Sequence, residues 1–378
     1  MFRWPATLDA SPIFSTNKFG SVSRLRDAFA AELVSHLRQY GFARVRNHGV
    51  APSTIAALFR YQRDFFRLPL PAKLSVRHGG GASPARGYSP WAYEKTAILR
   101  PDLHALPALN TSKGNASLSA PRSNTPTGLD GTAPKTLLDA REQFAIGPPD
   151  DAEFPTPQLA EDLLPGFNGT ARNAYIETRA TCRALVAAIE SGLGAPADSI
   201  SDVAAGGAGA ELNLNFYPEV ERGALEAGDG DGVAMRRIWP HSDLGIVSAL
   251  FPDGVGASGL ELEVRVPLDS PAFAPLPIDA EGDVVLLVSD TLERWTNGYL
   301  RAAIHRVGLP PVAQRRDAAL GPDGTARVPE RRSAVMFFRP PPTADIGPLP
   351  HFVSAENPAR YGHVTAGEYL KLHNEKLY

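Results

Sequence analysis

A chain of 378 residues with one cysteine, Cys182, has no partner for an intrachain disulfide and cannot build a thiolate metal cage. That scarcity predicts a reducing compartment. Cys182 itself falls in a helical stretch and reads as a small buried hydrophobe without a redox role. An excess of charge of either sign is also missing. With 38 Lys+Arg against 41 Asp+Glu and a formal net charge of -3, there is no broad basic field to attract nucleic acid or an anionic membrane surface. Nowhere do enough apolar residues run together to span a bilayer, and Met1-Phe2-Arg3-Trp4-Pro5 lacks the apolar stretch of a signal peptide. These absences lead us to expect a cytoplasmic monomer or weak homo-oligomer acting on a small molecule. The Asn-x-Ser/Thr triplets at Asn110, Asn115 and Asn168 are then coincidental.

The length permits one catalytic domain with appendages. Residues 21–40 carry Leu25, Phe29, Leu33 and Leu37 at helical spacing, 42–46 alternate as a strand, Asn47-His48-Gly49 supplies a turn, and 52–66 are again helical. Residues 96–135 are rich in Ser, Thr, Asn, Pro and Gly, so we expect an extended insertion there, with a lid as its one functional reading. A long helix is predicted over about 170–192, with Tyr175, Ile176, Leu185, Val186 and Ile189 as its buried stripe. Short strands follow at 211–217, 244–251, 260–266, 283–288, 299–307 and 332–338. They are separated by surface loops at Gly223–Gly232 and Pro267–Pro277, with Asn297-Gly298 as the strongest hairpin signal, and no internal repeat is found. The pattern predicts a mainly β chain with flanking α-helices, an antiparallel sandwich or barrel.

Within it, His241-Ser242-Asp243 places an imidazole and a carboxylate two residues apart, on one face if the backbone is extended. His305 could be brought alongside by a neighbouring strand. Two histidines and one carboxylate suit a divalent iron with open coordination positions, although a His-x-Asp pair alone is a weak signal. The case strengthens at Arg331-Arg332-Ser333, where a guanidinium fork and a hydroxyl again share a face. An arginine beside a dication makes sense if an anion lies between them.

This order of residues resembles the isopenicillin N synthase-like branch of the Fe(II)/2-oxoglutarate-dependent oxygenases, over most of the chain. Tyr40-Gly41-Phe42, Asn47-His48-Gly49-Val50, Phe65-Phe66-Arg67-Leu68-Pro69 and Arg86-Gly87-Tyr88 are similar to the family's N-terminal region. Asn215-Phe216-Tyr217-Pro218, Trp239-Pro240-His241-Ser242-Asp243, Gly282-Asp283, Arg294-Trp295-Thr296-Asn297-Gly298, His305-Arg306-Val307 and Arg331-Arg332-Ser333 follow in family order, and 356–370 resemble its C-terminal tail. The resemblance implies a double-stranded β-helix (jelly roll, cupin-like) core at 201–345, an N-terminal mixed region at 1–200 and a helical tail at 346–378. It implies Fe(II) held by His241, Asp243 and His305, and 2-oxoglutarate on the metal with its distal carboxylate at Arg331 and Ser333, near Asn215 and Tyr217. The reaction it implies consumes O2, with ascorbate as an accessory reductant, releases succinate and CO2, and abstracts hydrogen from a C–H bond of a small metabolite, in specialised metabolite biosynthesis. The long insertion and a long interval from Asp243 to His305 depart from the family pattern and bear on specificity.

Other residues carry competing readings. Asn213, Arg236, Arg237, Tyr88, Tyr93 and Trp239 are candidates for the substrate pocket; the bland alternatives are a solvated pair for the two arginines and barrel-rim packing for Trp239. His48 reads as turn structure. At the level of function, an oxidase that needs no 2-oxoglutarate and a non-catalytic binding protein on the same scaffold stay open. A zinc hydrolase is disfavoured because no His-Glu-x-x-His spacing occurs.

Overall fold

The computed structural model describes residues 4–15, 21–81, 83–99, 136–205, 209–226, 233–254, 256–264, 272–280, 282–310 and 324–377. Most of the insertion expected at 96–135 lies outside them, as do residues 227–232 and 267–271 of the two expected loops and residues 265–266 of an expected strand.

In chain order the first strands are Leu8–Asp9 (β1), Phe42–Arg46 (β2), Gly87–Ser89 (β3), Thr136–Asp139 (β4), Glu142–Ile146 (β5), Glu211–Tyr217 (β6), Val220–Glu221 (β7) and Val233–Arg236 (β8). Then come Ile238–His241 (β9), Val247–Pro252 (β10), Gly256–Val264 (β11), Ala272–Ile278 (β12), Val284–Val288 (β13), His305–Val307 (β14), Arg327–Val328 (β15) and Arg331–Phe338 (β16). They build an eight-stranded sheet, ordered β1-β2-β13-β10-β16-β6-β5-β3, and a four-stranded sheet, ordered β12-β11-β14-β9. Four strands of the larger sheet come from the N-terminal half, so that half completes the sheet and is no separate layer.

Alternation along the strands decides which face meets what. On β6, Leu212 and Leu214 join the cluster formed with Leu33, Leu37, Phe65, Cys182, Leu185 and Ile189 of the helices Ser21–Tyr40, Pro52–Arg67 and Phe167–Gly192. On the opposite face of the same sheet, Phe42, Leu250, Val285, Leu287 and Val335 pack against Leu260, Leu262, Leu276 and Ile278 of the smaller sheet. Each such fully buried aliphatic contributes about 1.5–3 kcal/mol relative to exposure. Two sheets with their inner faces together and helices outside form the jelly-roll arrangement expected.

Several expectations are corrected. Asn297 and Gly298 take positive φ (50° and 81°), but they close the helix Asp290–Trp295 and not a hairpin: Asn297 N–H donates to Arg294 O (3.0 Å) and Gly298 N–H to Glu293 O (2.8 Å). The same left-handed backbone serves both motifs. Residues 299–304 form no strand, because Leu300 N–H is taken by Thr296 Oγ1 and Ala302 N–H by Glu293 Oε2 (3.1 and 2.6 Å). The strand begins only at His305. Between β9 and β10, residues 242–246 are a loop; Asp243 O and Gly245 O accept from Asp290 and Thr291 N–H (2.9 and 2.7 Å), so they are withdrawn from the ladder. Pro275 and Pro277, expected in a loop, lie on β12, an edge strand where a missing N–H is tolerated. Residues 223–226 of the other expected loop belong to a short helix, Arg222–Glu226. Leu25 and Ile176 are exposed: buried residues 171, 174, 175, 178, 181, 182, 185, 186 and 189 follow the three-four spacing that skips 176.

Candidate functional site

Three side chains that the sequence separates by up to 64 positions meet at the end of the smaller sheet. Strand β9 pairs antiparallel with β14, and its register sets His305 directly across from His241. Asp243 sits one step into the loop, whose carbonyls are fastened to the N-terminus of the helix Asp290–Trp295. His241 Nε2 lies 3.4 Å and His305 Nε2 3.8 Å from Asp243 Oδ1, the two rings have centroids 4.2 Å apart, and one donor atom from each residue falls within 4.8 Å of the others. All three are buried. Asp243 Oδ2 has no hydrogen-bond partner among the described residues.

Backbone carbonyls orient both rings. His241 Nδ1 faces Trp239 O (2.8 Å) and His305 Nδ1 faces Ala303 O (3.2 Å); only an Nδ1–H can bond there, which leaves both Nε2 lone pairs aimed at the shared centre. Burial, reinforced by the neighbouring His241, pushes the His305 imidazole down to about 4, so it is neutral and able to donate a lone pair. Burial alone would raise Asp243, but the His305 and His241 rings outweigh it and hold its carboxyl well below the usual carboxylate range. Two imidazole nitrogens and an ionised carboxylate with a spare oxygen fit a divalent iron.

The residues expected to form the clamp lie on the larger sheet. Arg331 and Ser333 occupy alternate positions of β16, and Arg331 Nη1 donates to Ser333 Oγ (3.1 Å). The β16–β6 register sets Arg331 opposite Tyr217 and Ser333 opposite Asn215, so all four side chains share the inner face. The Arg331 guanidinium carbon lies 4.9 Å from the Tyr217 ring centroid. The Arg237 guanidinium carbon lies 5.9 Å from the same centroid, and one of its nitrogens donates to Pro329 O. Burial first and the Arg331 charge second lower Arg237 to about 10. Arg331 Nε and Nη2 and Arg237 Nε have no hydrogen-bond partner among the described residues. Two buried guanidinium groups with unused N–H bonds fit a carboxylate ligand such as the distal end of 2-oxoglutarate.

Of the pocket candidates, Asn213 shares the inner face with Asn215 and Tyr217. Trp239 supplies the His241-orienting carbonyl, and its indole N–H donates to Leu138 O (3.0 Å), under the Arg236 guanidinium at 4.6 Å. Tyr88 lies on the opposite side of the sheet. It pairs with Phe144, packs on Phe65 in the helix-facing cluster, and its hydroxyl donates to Glu142 Oε2 (2.5 Å), so its face points away from the site. Tyr93 stacks beside Arg77 at 5.3 Å. His48 is held by Gly282 O (2.7 Å), between left-handed Asn47 and Gly49, as turn structure. Sequence reasoning missed Arg141, which ion-pairs with Glu94 and donates to Asn215 Oδ1 (3.0 Å), and Gln62, whose Nε2 donates to Asn215 O and Ser333 O (2.9 and 3.1 Å). Arg141 follows a strand end at 139 with no motif around it. Gln62 looked like one polar position in an amphipathic helix.

Residues 11–165 match the family model described as non-haem dioxygenase in morphine synthesis N-terminal, and residues 210–340 match the 2OG-Fe(II) oxygenase superfamily. The chain is 33% identical over 351 residues to the 2-oxoglutarate-dependent dioxygenase imqE of Aspergillus flavus, covering 92% of this chain and 89% of that protein. It is 34% identical to the 2-oxoglutarate-dependent dioxygenase phqC of Penicillium fellutanum, covering 99% and 94%. The crystal structure of full-length Neurospora crassa T7H in complex with alpha-KG superposes with a TM-score of 0.73 at 24% identity, covering 98% of this chain and 96% of that one.

Proposed function

The chain belongs to the 2OG-Fe(II) oxygenase superfamily, and from that premise we propose that His241, Asp243 and His305 hold its iron, while Arg331 and Ser333 receive the distal carboxylate of 2-oxoglutarate. The protein is an Fe(II)- and 2-oxoglutarate-dependent dioxygenase. Its substrate, on our reading, is a small metabolite of a specialised pathway; the Aspergillus flavus and Penicillium fellutanum relatives are 2-oxoglutarate-dependent dioxygenases.

The observation that carries the site assignment is the buried trio of donors with one orphaned carboxylate oxygen, together with the hydrogen-bonded Arg331–Ser333 pair, whose guanidinium charge acts on His305. The iron with its co-substrate and O2 supplies the oxidant that takes hydrogen from an unactivated C–H bond. The chain's own residues do the rest. Trp239 O and Ala303 O fix the tautomers, the helix Asp290–Trp295 fixes the Asp243 loop, and Tyr217 and Arg237 shield the clamp from water. Asn215, held by Arg141 and by Gln62, presents its side chain at the level of Ser333, where it can steady the co-substrate between clamp and metal.

Asp243→Ala should abolish both stoichiometric Fe(II) binding, read by metal analysis after desalting, and succinate release from 2-oxoglutarate. Retention of a full equivalent of iron would refute the assigned ligand set. In Arg331→Leu the metal should stay bound while 2-oxoglutarate affinity falls roughly 10- to 100-fold, the loss expected for a buried charge-assisted bond; an unchanged titration curve would remove Arg331 from the clamp.

A further inference from the structure

We propose that the substrate pocket beside this site recognises a neutral amide or lactam edge through Asn213, Gln143 and Ser89, an inference that rests on the reading of the site given above. The three residues lie in adjacent strands of the larger sheet. Register sets Ser89 of β3 opposite Gln143 of β5, and Gln143 opposite Asn215 of β6, with Asn213 two positions away on the same strand. Alternation puts them on the inner face, the one that carries Asn215, Tyr217, Arg331 and Ser333, while their neighbours Tyr88, Phe144 and Leu214 join the helix-facing core.

These side chains are almost wholly shielded: Ser89 is 1%, Gln143 2% and Asn213 4% exposed. Yet Ser89 Oγ and Asn213 Oδ1 have no hydrogen-bond partner among the described residues. Asn213 Nδ2 is committed to Gln143 Oε1 at 3.3 Å. The row therefore offers one amide oxygen, one amide N–H2 group and one hydroxyl. If both amides are turned over, the complement is the same with the roles exchanged. A cis secondary amide, as in a lactam ring, presents an N–H donor and a C=O acceptor side by side, which is the matching edge. Buried polar groups left unpaired are costly, so a site with these atoms discriminates strongly in favour of a ligand that satisfies them.

Charge in the substrate is disfavoured by the same surroundings. Arg141 is matched by Glu94, and Glu211, two residues before Asn213, is matched by Arg86 (3.2 Å) and Arg339 (3.4 Å). Of the two buried guanidinium groups with unused N–H bonds, Arg331 serves the co-substrate in the reading above, and Arg237 lies against the Tyr217 ring beside it and donates to Pro329 O.

The test is calorimetric titration of the full chain, loaded anaerobically with Fe(II) and 2-oxoglutarate, with three probes. These are cyclo(Gly-Phe), its N,N′-dimethyl derivative lacking both N–H donors, and the zwitterionic dipeptide Gly-Phe. The cyclic dipeptide should bind about tenfold or more tightly than the dimethyl form and the zwitterion, and Asn213→Leu and Gln143→Leu should each erase that preference. Equal binding of the N–H and N-methyl forms, as if the row served only water, overturns the proposal, as does tighter binding of the zwitterion or no binding of any probe. The comparison among probes uses the wild-type chain, so it stands even if a variant fails to fold. Heat from 2-oxoglutarate during loading reports separately on the site reading, so the two failures are distinguishable.

Discussion

A buried carboxyl outside the site shows how much single residues here depend on their surroundings. Asp139, at the end of β4, accepts from Thr96 N–H (3.0 Å) and Thr96 Oγ1 (2.8 Å). Burial lifts its carboxyl to about 6 even though Arg141 and the Thr96 bonds pull the other way. The folded chain thus holds a proton that the unfolded carboxyl, at its ordinary 3.8, has released. The contribution to stability is fully present below about pH 4 and is lost as pH rises through about 6. Asp139→Asn, which cannot ionise, should match the wild type in denaturant melts at pH 4 and exceed it by roughly 1–3 kcal/mol at pH 8. A constant difference across that range would contradict the raised value. Cys182, the only thiol, is fully buried in the helical layer, and burial pushes its ionisation far up, in line with an inert packing role. His241, Asp243, His305, Arg331 and Ser333 were legible as residues because each chemistry requires its own residue type. Arg141 and Gln62 were not, since an arginine or glutamine is recognisable as a site residue only by what it touches.

At the scale of elements, the helix Pro52–Arg67 does more than cover the sheet. Gln62, fully buried, reaches through the apolar layer and bonds carbonyls on both β6 and β16, at the pair of residues, Asn215 and Ser333, whose side chains enter the site. It ties the two clamp strands together at their working level. Gln62→Leu would leave those carbonyls without the donor and should cost about 1–3 kcal/mol of stability. It should also weaken 2-oxoglutarate binding several-fold while the Fe(II) equivalent stays intact, measured by titration and metal analysis; an unchanged co-substrate affinity would reduce Gln62 to packing. The misread elements have a common cause. Asn297-Gly298 carries left-handed backbone wherever it occurs, and only the docking of the helix Asp290–Trp295 decides that it closes a helix and not a hairpin. Likewise residues 299–304 have strand-forming composition, but Glu293 and Thr296 take their N–H groups first.

Across the whole molecule, the C-terminal helix Ala366–Leu377 connects distant parts of the site's support. Tyr369 Oη donates to Asp290 Oδ2 (3.1 Å), Asp290 N–H holds Asp243 O (2.9 Å), and Asn374 Nδ2 reaches Ser83 O (3.2 Å). Between this helix and the Leu244–Gly245 loop lies an apolar cavity of about 30 Å³, bordered also by Thr291, Arg339, Pro342 and Leu370. The tail therefore buttresses the loop that carries Asp243. Tyr369→Phe keeps the packing and removes the bond; it should cost about 1 kcal/mol and speed Fe(II) loss to a chelator, with 2-oxoglutarate affinity on the iron-loaded protein unchanged. Chelation at the wild-type rate would show the contact to be structural only. Among the described residues no helix is long and apolar enough to cross a membrane.

By itself the sequence determined the residue types, the alternation that makes two-faced strands and the order of the candidate ligands along the chain. Those follow from local periodicity and from the chemistry that iron and a carboxylate demand. Tertiary structure alone decided the rest. The β9–β14 register set His305 across from His241, the helix Asp290–Trp295 bent 242–246 into the loop that carries Asp243, and the N-terminal strands β3 and β5 supplied the inner face beside Asn213. Such pairings join residues far apart in the chain, and no local pattern encodes which strand a residue will meet.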